Sequence, residues 1–158
     1  MEYKKKVIRV IDQFYVDCVE EFKEAELKIA NDSKFRKIFG KKDYAGNIEI
    51  LSECKKRARA LRFPTGDIPK GDDATKELIR NTEQTIRQFN KLCDAYIQLQ
   101  KALENKSKGA SVSYKEYMEI YHRTQEERIE MNRFLQDLDL LYTDYTEDEG
   151  YDVYEFLD

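Results

Sequence analysis

His122 is the single histidine in a chain of 158 residues, and most imidazole-based chemistry would have to be built on it. A Ser-His-Asp or Cys-His arrangement needs that ring as the base that takes the nucleophile's proton. A zinc site of cysteines and histidine would need Cys18, Cys54 and Cys93 to converge with His122. Each cysteine instead falls on an apolar stripe with helical spacing, the setting of a small buried core residue. Their odd number, wide spacing and lack of a CxxC suit reduced thiols in the cytoplasm better than a disulfide framework. There is no GxxxxGK[ST] loop, and no GxGxxG follows a strand pattern. The expectation is a protein that is not an enzyme and has no metal centre and no cofactor.

One fragment resembles a ligand pair. Glu119-Ile120-Tyr121-His122 is an E-x-x-H, the spacing found in ferritin-like di-iron bundles, whose centres take two such pairs and two further glutamates. This chain has no second histidine. On a helical wheel at ~100° per residue, the stripe Tyr121–Met131–Leu135 points roughly 150° away from His122. Both residues of the pair are therefore expected on the surface.

Charge offers the other chemistry. Segment 34–62 holds ten Lys and Arg against three acids, and Lys55, Arg59 and Arg62 share one helical flank. Lys41, Lys42, Lys55, Lys56, Arg59 and Arg62 are the candidates for holding phosphates or for docking an acidic segment. Against nucleic acid stand the overall charge of −4, the pI near 5.3, and the lack of RNP, KH or zinc-finger patterns. The C-terminal stretch 143–158 is the counterpart, with seven acids and no base. A tail that only solubilises would be bland between its acids. This one interleaves them with Tyr145, Tyr151, Val153, Tyr154, Phe156 and Leu157. Tyr145, Tyr151, Tyr154, Phe156 and Leu157 are the expected partner-binding residues.

The elements that would position these groups follow from punctuation and period. Only six Gly and two Pro interrupt a chain that is 38% charged, a composition of long helices. Val7, Ile11, Phe14, Cys18, Phe22, Ala25 and Ile29 recur at steps of three and four. Ile48, Leu51, Cys54, Ala58 and Leu61 form a second stripe, ended by Phe63-Pro64. Asp72 or Asp73 caps a third helix, and Ser113-Tyr114-Lys115-Glu116 reads as the capping box of a fourth. The spans predicted are 3–31, 44–62, 73–106 and 114–142. Short connections make neighbouring helices antiparallel. The expected fold is all-α: an antiparallel up-down four-helix bundle over 1–142, with an acidic, aromatic-containing tail over 143–158.

Two features of the stripes bear on partners. Ile8, Tyr15 and Val19 widen the first apolar face to about half the circumference, so it packs on two sides, within the bundle or against a second copy. A homodimer is expected on that ground. Thr82, Gln100, Thr124 and Arg128 interrupt the other stripes. They lie either at the bundle's edge or, for Arg128, in a buried polar seam held by a carboxylate of the first helix such as Glu21 or Glu24. No run approaches the ~18 apolar residues of a membrane span, and Arg9 and Asp12 break the apolar run behind the basic start, so no secretory signal is expected. The functional expectation is a cytoplasmic helical bundle acting through protein–protein contact, self-associating, with the tail as docking or regulatory segment. The alternative is a nucleic-acid-associated subunit that uses segment 34–62, with the tail as competing polyanion.

Overall fold

The structure, a computed structural model, describes residues 2–34, 42–148 and 150. Lys41 and residues 151–158 lie outside the described residues. Four helical rods make an all-α fold, with no strand among the described residues. The first rod is α1 (Glu2–Gln13), a π-helical segment (Phe14–Val19) and α2 (Glu20–Lys34) in unbroken succession. It is followed by α3 (Tyr44–Ala60), α4 (Asp73–Ser107) and α5 (Tyr114–Asp148), with a 3-10 turn (Thr65–Asp67) between α3 and α4.

Side-chain pairs set the directions. Asp12 meets Tyr142, Tyr15 meets Asp139 and Glu26 meets Arg128, so one number climbs as the other falls. Asn47 with Gln100 and Lys55 with Asp94 repeat the pattern between α3 and α4. Thr75 with Tyr145 and Gln88 with Glu127 repeat it between α4 and α5. The rods therefore run up and down around one core.

Local chemistry places the helix starts. Asp43 caps α3 by accepting from the Gly46 N–H at 3.0 Å, and Asp72 caps α4 by accepting from the Thr75 N–H at 3.1 Å. Ser113 Oγ accepts from the Glu116 N–H at 3.1 Å, the hydroxyl half of the capping box. Phe14, Phe22 and Phe89 interlock at the centre, with Phe89 edge-on to each of the other two at 5.5 Å. Cys18, Cys54 and Cys93 are fully or almost fully buried. Burial pushes the Cys18 thiol up to about 12 and Cys54 up to about 11, and raises Cys93 as well, so these thiols stay protonated and inert.

The wide apolar face of the first rod is covered by the bundle's own helices. Val7, Ile8, Ile11, Phe14, Cys18, Val19 and Phe22 are all 3% exposed or less. Lys28 pairs with Asp43 at the head of α3, while Asp12, Tyr15 and Glu26 bond to α5. Both packing sides are met within one chain, so this face does not call for a second copy.

The last helix also differs from the expectation. It continues past 142 to Asp148, and Tyr145 belongs to the core at 6% exposure, its hydroxyl 2.9 Å from Thr75 Oγ1. The cause is periodicity: Leu138, Tyr142 and Tyr145 continue the stripe at steps of four and three, and the acids Asp144, Glu147 and Asp148 face outward.

Candidate functional site

The connection from α3 to α4 makes the candidate site. Leu61 leaves the helix in an extended conformation, and Pro64 follows in the 3-10 turn's N-cap position. The short path to Asp72 is tied down by backbone bonds from Asp67 N to Pro64 O and from Asp72 N to Pro69 O, both 3.1 Å. Leu61, Phe63 and Ile68 therefore lie half-buried against the core beside Ile79 and Ile86 of α4. Together they form an apolar floor.

Cations ring this floor. Arg59 comes from the last turn of α3 and Arg62 from just beyond it, since the helix ends at Ala60 rather than at 62, while Lys76, Arg80 and Arg87 come from one flank of α4. On a helix, residues spaced by three and four stack along one side. Two adjoining hollows, about 450 and about 320 Å³, share Thr65, Glu83 and Arg87, and so make one groove. Glu83 is the only acid among its lining residues. None of the five cations pairs with a carboxylate among the described residues. Arg62 donates to the carbonyls of Arg59 and Leu61 at 2.6 and 2.8 Å, and Lys76 donates to that of Lys70 at 3.0 Å. Asn90 also lines the groove, and its Oδ1 is buried without a donor. Cations of one sign beside a low-dielectric wall focus a positive field into the groove. Five cations around an apolar floor suit the groove to holding an anionic, partly apolar segment.

The basic residues singled out in the sequence are divided by the fold. Arg59 and Arg62 enter the groove. Lys55 instead pairs with Asp94 of α4 at 2.7 Å, and Lys56 is exposed outside the groove lining. Lys42 lines a different cleft between α2, α3, α4 and α5. Lys76, Arg80 and Arg87 were not singled out, although their spacing with Glu83 marks one flank of a helix.

Arg128 is half-buried and bonds Glu26 at 2.8 Å, while its guanidinium carbon lies 5.9 Å from the centre of the Phe22 ring. The carboxylate comes from the first rod, at Glu26 rather than at Glu21 or Glu24. Of the tail residues, Tyr145 is in the core, and Tyr151, Tyr154, Phe156 and Leu157 lie outside the described residues. Glu119 and His122 are exposed, with the imidazole edge-on to Tyr121 at 5.9 Å.

No protein-family model, curated protein or solved structure matches the chain.

Proposed function

We propose that this chain is a cytoplasmic, non-enzymatic helical scaffold that works by protein–protein contact, and that the groove beside α4 is its contact surface. The observation that carries the reading is the set of five cations without carboxylate partners around an apolar floor. An acidic segment with interspersed aromatic or aliphatic side chains supplies both complements. Its carboxylates meet the arginines, and its apolar groups cover Leu61, Phe63, Ile68, Ile79 and Ile86. A donor on it reaches Asn90 Oδ1. Arg–carboxylate pairs at such an edge are charge-assisted and directional.

The chain carries such a segment itself. Residues 151–158 read Tyr-Asp-Val-Tyr-Glu-Phe-Leu-Asp. They follow Gly150, whose φ of 74° is a turn conformation that glycine adopts without strain. The end of α5 lies by the start of α4, where Tyr145 touches Thr75, next in sequence to Lys76 of the groove. Eight extended residues reach about 26 Å at about 3.3 Å each. The groove follows α4 from Lys76 to Asn90, about 21 Å at 1.5 Å per residue. In this reading the tail is a regulatory occupant that competes with partners. Self-association has narrower support. Val16 and Leu27 of the first rod and Ile129 and Leu140 of α5 are exposed apolar residues open to a second copy.

The test is a set of anisotropy titrations with a labelled peptide of residues 143–158, a scrambled acidic peptide, single-stranded RNA and duplex DNA. Each is run at low and moderate salt, against the full chain and a chain ending at Gly150. The proposal expects the native peptide to bind the shorter chain more tightly than the full one, and more tightly than either nucleic acid. Tighter nucleic-acid binding with a steep salt slope would instead establish the subunit reading, with Arg59, Arg62, Arg80 and Arg87 on phosphates.

A further inference from the structure

A second cavity, independent of the groove, opens between α2, α3, α4 and α5. It holds about 390 Å³, within the roughly 300–1,000 Å³ usual for small-molecule sites. Tyr96 of α4 and Tyr117 and Tyr121 of α5 form aromatic wall, the last two stacked at 6.3 Å with their planes 23° apart. Leu99 and Leu103 add aliphatic surface.

Gln100 is the informative residue. It lines the cavity and is only 2% exposed. Its Oε1 accepts from Asn47 Nδ2 at 3.0 Å, while its own Nε2 meets no acceptor among the described residues. The Nε2 amide is therefore a donor on the cavity wall that stays open to an acceptor carried by a ligand. Charge narrows the ligand. Glu26, the only acid among the lining residues, is already matched on both oxygens, by Arg128 and by the Tyr96 hydroxyl, each at 2.8 Å. Lys42, the lining cation, is not free either. A net charge on the ligand would therefore lose water without gaining a free counter-charge.

We infer that this cavity binds a small, uncharged, planar molecule carrying a carbonyl or ring acceptor. The acceptor takes the Gln100 amide, and the ring lies against the tyrosines, where offset or edge-on aromatic contact is favourable.

The test uses the isotope-labelled full chain and three probes followed by NMR: coumarin, naphthalene as a ring without an acceptor, and naphthoate as a charged ring. Coumarin is expected to move the Gln100 side-chain amide and the Tyr117 and Tyr121 ring signals saturably, binding about tenfold or more tighter than the other two probes. Gln100→Leu should abolish that preference for coumarin over naphthalene while naphthalene still binds. Should that variant fail to fold, Tyr121→Ala at the half-open wall should weaken coumarin by about tenfold. Equal binding of coumarin and naphthalene, tighter binding of naphthoate, shifts confined to other regions, or no saturable shift at millimolar coumarin would each overturn the inference.

Discussion

Asp12 sits where a core of apolar side chains would be expected. It is 4% exposed, accepts from the Tyr142 hydroxyl at 2.7 Å through Oδ1, and has no partner for Oδ2. Burial raises its pKa above the ordinary carboxylate value, and the Tyr142 bond only partly opposes this. Asp12 therefore binds its proton more tightly in the folded chain than in the unfolded one. Its contribution to stability is intact below the unfolded value, about 3.9, and declines as pH rises through the folded value. Asp12→Asn should remove that decline, so urea unfolding at about pH 4 and about pH 7 should show a smaller stability loss in the variant than in the parent. Equal pH slopes would contradict this account. Tyr142→Phe removes the donor to Oδ1 and leaves the buried carboxyl without a hydrogen-bond donor, and should cost about 1–3 kcal/mol in the same unfolding measurement.

At the level of elements, one network joins three helices at the tail end of the bundle. Asp72 accepts from the Thr75 N–H and from the Thr75 and Tyr3 hydroxyls, and Thr75 Oγ1 also lies 2.9 Å from the Tyr145 hydroxyl. Burial alone would raise the Asp72 pKa, but the bonds from Thr75 and Tyr3 outweigh it and hold the carboxyl below the ordinary range. This stabilisation is present above the unfolded carboxylate pKa and is lost as pH falls through the folded value. Asp72→Ala should cost about 1–2 kcal/mol at neutral pH, as for the loss of a strong cap, read from denaturant midpoints. The variant should also lose less stability on acidification than the parent. The helices themselves were legible because their apolar period is regular and their caps use the expected residues. The buried threonines were less so. Thr82, Thr85 and Thr124 satisfy their hydroxyls on the carbonyls four residues back, at 2.8, 2.8 and 2.9 Å, and so pack as small branched groups despite their polar identity. The π-helical segment, where the Glu20 N–H reaches the Tyr15 carbonyl, left no mark in the apolar spacing.

At the scale of the whole molecule, segregated charge was legible in the sequence, but the groove that uses it was only half so. Arg59 and Arg62 stood out as part of a basic run. Lys76, Arg80 and Arg87 are distant in sequence and join them only because the 61–72 connection folds α3 back along α4. The change of composition near 142 suggested a boundary, but the packing of Tyr142, Tyr145 and Thr146 carries the helix on to Asp148. With the first rod's broad face enclosed, sedimentation of the full chain at micromolar concentration should give a mass near 18.8 kDa. A stable dimer that persists in the chain ending at Gly150 would instead direct attention to Val16, Leu27, Ile129 and Leu140. The most direct measurement is NMR mapping of the 143–158 peptide on the labelled chain ending at Gly150. The account predicts shifts concentrated at Ile68, Ile79, Glu83 and Arg87, with binding lost when Arg80→Glu and Arg87→Glu are combined. Peptide shifts that avoid this groove, or binding that survives the double reversal of charge, would contradict it.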